Sequence, residues 1–276
     1  GEESTCFYAK AHHDRFDDLL DVLMDMFLHS KFNRREIEKE RSVIKEEISM
    51  YLDQPHQHVQ ELLNEMLWPN HPLGRSLTGT SATIDRLTRA QLVDYQHHNY
   101  VAPGMVLCAA GNVEHERFVR RVKRYARGLP QGQRPGFQPA PKAPDGPRVH
   151  LHRRVIAQMQ MALGIRTCSR RDRRRFPLRL LNTVLGENMS SRLFQTLRED
   201  LALAYSVQSS LSLFDDVGAL VISAGLDSDR LPQALKLIMR ELRRIVDQAP
   251  GPTEMRRARD YMIGQIDLGL ESTENQ

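Results

Sequence analysis

No run of 18 apolar residues occurs in this chain, so it has no segment that could cross a bilayer as a helix. It has only three cysteines, Cys6, Cys108 and Cys168, odd in number and widely spaced. That excludes a disulfide framework and points to a reducing compartment, the cytoplasm. All three are expected to be small core residues. Neither an initiator Met nor a basic-then-apolar leader opens the chain, so no signal peptide is visible. The first residues, "STCFYAK", read as a strand already under way, and further sequence ahead of Gly1 is expected. No nucleic-acid motif accompanies the arginine clusters "RRVKRYAR" (120–127) and "RRDRRRF" (170–176). These read as solvated helix faces, and neither nucleic acid nor a membrane is expected as a partner.

What is present suits a globular protein. The chain has 276 residues, 40% hydrophobic and 27% charged, enough for two cores. Six prolines fall in "LPQGQRPGFQPAPKAPDGP" (129–147), which can continue neither a helix nor a central strand. It reads as a linker between a first domain, 1–128, and a second, 148–276. In the first, Phe16, Leu19, Leu20, Leu23, Met24 and Phe27 recur at helical spacing. A second helix opens at Asn33 as N-cap, and others are expected near 55–68, 88–98 and 114–127. "MVLCAAGNV" (105–113) reads as a buried strand. In the second, "RVHLHRRV" and "AQMQMALGIR" alternate as strands, and helices follow near 172–186 and 190–200. "YSVQSSLSLF" and "GALVISAGL" read as a hairpin around Asp215-Asp216, with two closing helices. The fold class is therefore α+β, two repeated sandwiches in which a mainly antiparallel sheet is packed with helices.

The halves echo one another. "EIEKERSVIKEEI" in the first aligns without a gap on "EMRRARDYMIGQI" in the second, Glu36 falling on Glu254 and Ile48 on Ile266. Glu40 and Glu47, seven residues apart, lie on one helical stripe about 10 Å long, with Val43 and Ile44 between them. Carboxylates on an apolar stripe are costly without a cation, a hydrogen-bond network or a metal. Copy two has Ala258 and Gln265 at these positions, so the fold does not need the acids. They are better explained by chemistry.

At "ERSVIKEE" (40–47) the sequence resembles the pitrilysin/insulinase family of zinc metallopeptidases, of the bacterial two-domain, processing-peptidase-like type. That family has an inverted zinc motif, H-x-x-E-H, and a later helix with E-R-x-x-x-x-x-E. "NHPLGRSLTGT" (70–80) and "YVAPGMVLCAAGNV" (100–113) are similar to two further family segments. "LGENMSSRLFQTLREDLALAYSV" (185–207) resembles its G-x-x-S-R-L-F-x-x-L-R-E-x-x-x-L-A-Y stretch, and this is the most specific match. The resemblance covers the chain from end to end. It implies zinc-dependent hydrolysis of peptides or small unfolded proteins, held extended between two domains. It implies Glu47 as a zinc ligand and Glu40 as an acid that orients the zinc-binding groups. Arg198 and Tyr205 would reach the active site, Arg198 to hold substrate carbonyls and Tyr205 to donate a hydrogen bond to the developing oxyanion. On helix pattern alone, Arg198 reads instead as an ion-pair partner and Tyr205 as a half-buried core aromatic.

The departure from the family is large. No H-x-x-E-H occurs here, and counting back from Glu47 puts it ahead of Gly1. The chain is expected to be an internal piece of a longer peptidase, inactive by itself, since zinc needs all of its protein donors. No histidine pair (His12-His13, His56/His58, His97-His98, His150/His152) has metal-ligand spacing, and His71 reads as structural. Two alternatives remain: a non-catalytic, peptidase-like subunit paired with a homologous one, and a basic nucleic-acid-binding module.

Overall fold

The computed structural model describes residues 1–143 and 145–276. The first part is helical: α1 (Phe16–Leu28), α2 (Arg34–Leu52), α3 (Pro55–Leu67), α4 (Ser81–Arg86), α5 (Arg89–Asn99) and α6 (His115–Ala126). Local chemistry sets their starts. Asn33 Oδ1 accepts a hydrogen bond from the Arg35 amide and caps α2, as its sequence position predicts. Pro55 opens α3 at the one place where a missing N–H costs nothing. Reciprocal capping pairs, Thr80 with Thr83 and Thr88 with Gln91, start α4 and α5. The six-residue α4 shows no apolar period, which is why its sequence gives no helical signal. No helix among the described residues is long and apolar enough to cross a membrane.

Next come β1 (Met159–Thr167), α7 (Arg175–Asn182), β2 (Ala204–Leu213), β3 (Gly218–Leu226), α8 (Leu231–Asp247) and α9 (Pro252–Leu270). The strands form one antiparallel sheet in the order β1-β3-β2, with β2 and β3 joined through Asp215-Asp216 as expected. Central β3 is covered on both faces. Leu220, Ile222, Ala224 and Leu226 meet Leu193, Leu197 and the inner stripe of α8, namely Ala234, Leu237 and Ile238. From the other face Ala219 and Val221 meet Leu63, Leu67, Trp68, Phe214 and Val217. Each such large side chain contributes roughly 1.5–3 kcal/mol by leaving water. Gly164 lets α3 lie close on the sheet, because a Cβ there would come within 2.9 Å of a Leu67 methyl. One core is thus built from residues on both sides of the proline-rich segment. A smaller cluster joins Phe16, Leu20 and Met24 of α1 to Phe118 and Val122 of α6.

The α+β class stands, and the sheet of the described residues lies in the second half. "STCFYAK", "MVLCAAGNV" and "RVHLHRRV" join no ladder, and the second bends at Gly111-Asn112. Alternation marks a chain that could be a strand, whereas a strand forms only where a neighbour exchanges backbone hydrogen bonds. Val106 in the second of these is 87% exposed. The cysteines follow suit: Cys6 and Cys108 are exposed and Cys168 is half-buried, so the expected core role fails for the first two. The repeat holds at helix level. α2 and α9 are both 19 residues long, and the offset that sets Glu36 on Glu254 carries both ends, Arg34 to Pro252 and Leu52 to Leu270.

Candidate active site

The two faces of α2 differ sharply. On one, Arg41 donates to the carbonyls of Ile84 and Leu87, and Lys45 pairs with Asp85, which ties the helix to α4. Ile48 is buried on that side. The other face carries Glu40, Val43 and Glu47, all exposed. Among the described residues neither carboxylate has a hydrogen-bond or ion-pair partner. The copy-two counterpart of Glu40, Ala258, is buried. The repeated helix therefore packs this stripe at Ala258 in the second half, while Gln265, the counterpart of Glu47, is exposed like Glu47 itself.

A second group forms where α7 gives way to irregular helix. Two wide π-helical segments, Thr183–Glu187 and Phe194–Asp200, flank the start of β2. Such widening re-aims side chains and is frequent at functional sites. Leu197 is fully buried and accepts the Leu203 amide at 2.7 Å, fixing the turn that presents its neighbour Arg198 outward. The Arg198 guanidinium sits 5.0 Å from the Phe194 ring centroid and 5.9 Å from that of Tyr205. Tyr205 is the extra residue where the β2–β3 register slips between Ala204 and Ser206, and bulges redirect side chains in this way. It is 75% exposed, not a half-buried core aromatic, and Arg198 makes no ion pair among the described residues. Arg198 and Tyr205 thus converge, while no hydrogen bond or ion pair joins them to Glu40 or Glu47.

A cavity of about 650 Å³ opens beside Arg198, between α3 and the sheet. Its wall includes His56, Gln60, Gln160, Glu187, Phe194 and Arg198. Gln60 crosses to β3, donating to Ser223 Oγ at 2.8 Å. Glu187 Oε2 accepts from the Thr183 hydroxyl at 2.6 Å and the Asn182 amide at 3.3 Å. Sequence reasoning passed over Glu187. The available signal was a polar pair, Asn182-Thr183, inside the apolar run "LRLLNTVLG".

Elsewhere several arginine clusters are paired internally. Arg170 and Arg171 share Asp215, and Arg117 and Arg121 share Asp17. Burial works against ionisation of Asp17, but the two guanidinium groups outweigh it and hold its carboxyl below the ordinary range. His71 is buried and structural, as its turn suggests, accepting from the Leu73 amide and reaching the Gln138 carbonyl at 3.0 Å. His58 and His152 stack edge to face at 4.9 Å.

Zinc held by protein needs three or four donors. Among the described residues, three candidate donors come together at His12, His13 and Asp14, all exposed, and neither Glu40 nor Glu47 belongs to such a group. Glu47 offers one free carboxylate with no imidazole beside it. The residues present do not by themselves fit a zinc site.

The family pattern "Insulinase (Peptidase family M16)" matches residues 1–81, and "Peptidase M16 inactive domain" matches residues 86–262. An uncharacterized zinc protease of Bacillus subtilis, YmxG, is 34% identical over the whole of this chain and 66% of its own length. An uncharacterized zinc protease of Mycobacterium leprae is 33% identical over 99% of this chain and 62% of its own. The chain thus spans a little under two thirds of the curated relatives it matches. The crystal structure of a protease from Helicobacter pylori superposes with a TM-score of 0.87 at 19% identity, over 96% of this chain and 66% of that one.

Proposed function

Because this chain belongs to the insulinase (M16) peptidase family, whose relatives are named zinc proteases, we propose that it forms part of a zinc metalloendopeptidase acting on extended peptides. The observation that supports this reading is the convergence of Arg198 and Tyr205, both exposed and without an ion pair or hydrogen bond among the described residues, with Arg198 on the wall of a cavity that α3 closes from the other side. Glu47 is the metal donor this chain contributes, on the open stripe of α2, and would share the metal with the imidazoles of an H-x-x-E-H motif. Glu40, two turns earlier, orients the metal-binding groups.

The chain's own residues position and polarise the substrate. Arg198 presents guanidinium donors to peptide carbonyls, its plane held by Phe194. Tyr205 supplies an O–H donor whose ring is free to meet an oxyanion developing on the scissile carbonyl. The surrounding Gln60, Gln160 and Gln208 amides offer hydrogen bonds to an extended main chain.

The test uses a protein of the relatives' full length, assayed on a fluorogenic unstructured peptide with and without a chelator. Metal-dependent cleavage that falls with Arg198→Ala supports the proposal, and absence of cleavage at saturating zinc sinks it. A second reading takes its support from the match of residues 86–262 to "Peptidase M16 inactive domain". In it the chain is a non-catalytic, substrate-holding subunit, which would bind the peptide without cleaving it.

A further inference from the structure

One cavity wall carries two opposite charges, Glu187 and Arg198, that have no ion-pair partner among the described residues. Glu187 is held by neutral donors only, Thr183 Oγ1 and Asn182 Nδ2, both on its Oε2 atom. Thr183 and Asn182 are buried and anchor one oxygen of the exposed Glu187 side chain, while Oε1 accepts no hydrogen bond among the described residues. A carboxylate anchored through one oxygen, with the other free on a cavity wall, fits a group that carries N–H donors and positive charge. Arg198 repels such a charge from its own end of the wall, which sets the direction in which the ligand lies.

We infer that Glu187 reads a basic side chain, so that this cavity selects peptides bearing lysine or arginine at the position that meets it. The inference rests on the reading of the cavity as the place where an extended peptide lies. A lysine preference is not what the whole molecule would give: the chain carries a net charge of +4 and repels cationic ligands at long range. Preference for lysine therefore has to come from a local acid, and Glu187 is the acid on this wall.

The experiment is fluorescence anisotropy on this chain with three labelled, unstructured ten-residue peptides, identical except for lysine, glutamine or glutamate at two positions. The lysine peptide binds about fivefold tighter than the glutamine peptide, the gain of one charge-assisted contact at a partly open site. Glu187→Gln removes that gain, and Glu187→Lys inverts it so that the glutamate peptide binds best. Circular dichroism of both variants verifies that the helices remain. A lysine preference that persists in both variants overturns the inference. If Arg198→Ala still weakens all three peptides in that case, the peptide site stands and only the role of Glu187 falls. If Arg198→Ala weakens none of them, the cavity is not the peptide site and both fall.

Discussion

Arg192 closes two guanidinium nitrogens on the carboxylate of Glu254, each contact 2.7 Å long, across 62 residues of chain. The pair is partly buried, with the Arg192 side chain 9% and the Glu254 side chain 24% exposed, and it ties the segment after α7 to the first turn of α9. Glu254 is the repeat counterpart of Glu36, which reaches only Lys39, one turn along its own helix. The same position in two copies of one helix thus serves a long-range tie in the second half and a local surface pair in the first.

Breaking that tie leaves a charge without its partner. Arg192→Met or Glu254→Gln should each cost about 2 kcal/mol, less than a fully buried pair because water still reaches Glu254. Urea denaturation at neutral pH measures it, and a loss under about 0.5 kcal/mol would show the pair to be ornamental.

The pH dependence has a definite sign. The Arg192 hydrogen bond, outweighing burial, holds the Glu254 carboxyl below its ordinary value. A depressed folded-state pKa adds stability above the unfolded pKa and loses it as pH falls through the folded one. The wild-type chain should therefore lose this contribution below about pH 4. Glu254→Gln should show a flatter profile, and the two melting curves should approach one another in acid. Parallel profiles from pH 7 to about pH 3 would contradict the assignment.

A close approach gives a third outcome. A Cβ on Gly186 would stand 2.8 Å from the backbone nitrogen of Ser209 on β2, which cannot move aside as a side-chain tip can. Gly186→Ala should destabilise by about 1–3 kcal/mol through overpacking. It should also disturb the cavity wall that Gly186 helps to form, so peptide affinity should fall with stability.

Much of this molecule was legible in its residues. Apolar spacing located α1, further helices were expected where α3, α5 and α6 lie, alternation located β1, and the hairpin of β2 and β3 was read around Asp215-Asp216. The stretches that misled, 4–10, 105–113 and 148–155, carry the apolar content or the alternation of a strand. What separates them from β2 is a partner, and pairing is a property of distant chain that no local window contains. The site divides the same way. A motif linked Arg198 to Tyr205, and the structure puts them 5.9 Å apart. Glu187 escaped because its role depends on Thr183 and Asn182 being buried, and burial follows from packing against β2, where Ser209 donates to the Asn182 carbonyl.

Glu47 separates stability from chemistry. It is exposed and unpaired, so Glu47→Gln should leave the melting temperature of this chain unchanged, within about 0.5 kcal/mol. In a protein of the relatives' full length the same change should abolish both zinc retention, read by atomic absorption after dialysis, and peptide turnover. Loss of stability with zinc intact would make Glu47 a structural residue.

Tyr205 and Arg198 should fail in different ways. A hydroxyl that meets charge only as it develops on the carbonyl stabilises the transition state and not bound substrate. Tyr205→Phe, which keeps the ring beneath Arg198, should therefore lower kcat about 10- to 100-fold in the full-length protein and leave KM nearly unchanged. Arg198→Ala removes a group that holds ground-state carbonyls too, so it should raise KM as well as lower kcat. Because the guanidinium also lies over Phe194, Arg198→Lys tests whether a point charge is enough. A planar, stacked guanidinium is not replaced by an ammonium, and the lysine variant should recover less than a tenth of the lost kcat/KM. Should Tyr205→Phe instead raise KM at constant kcat, the hydroxyl would be a ground-state contact, and the oxyanion role would pass to another donor.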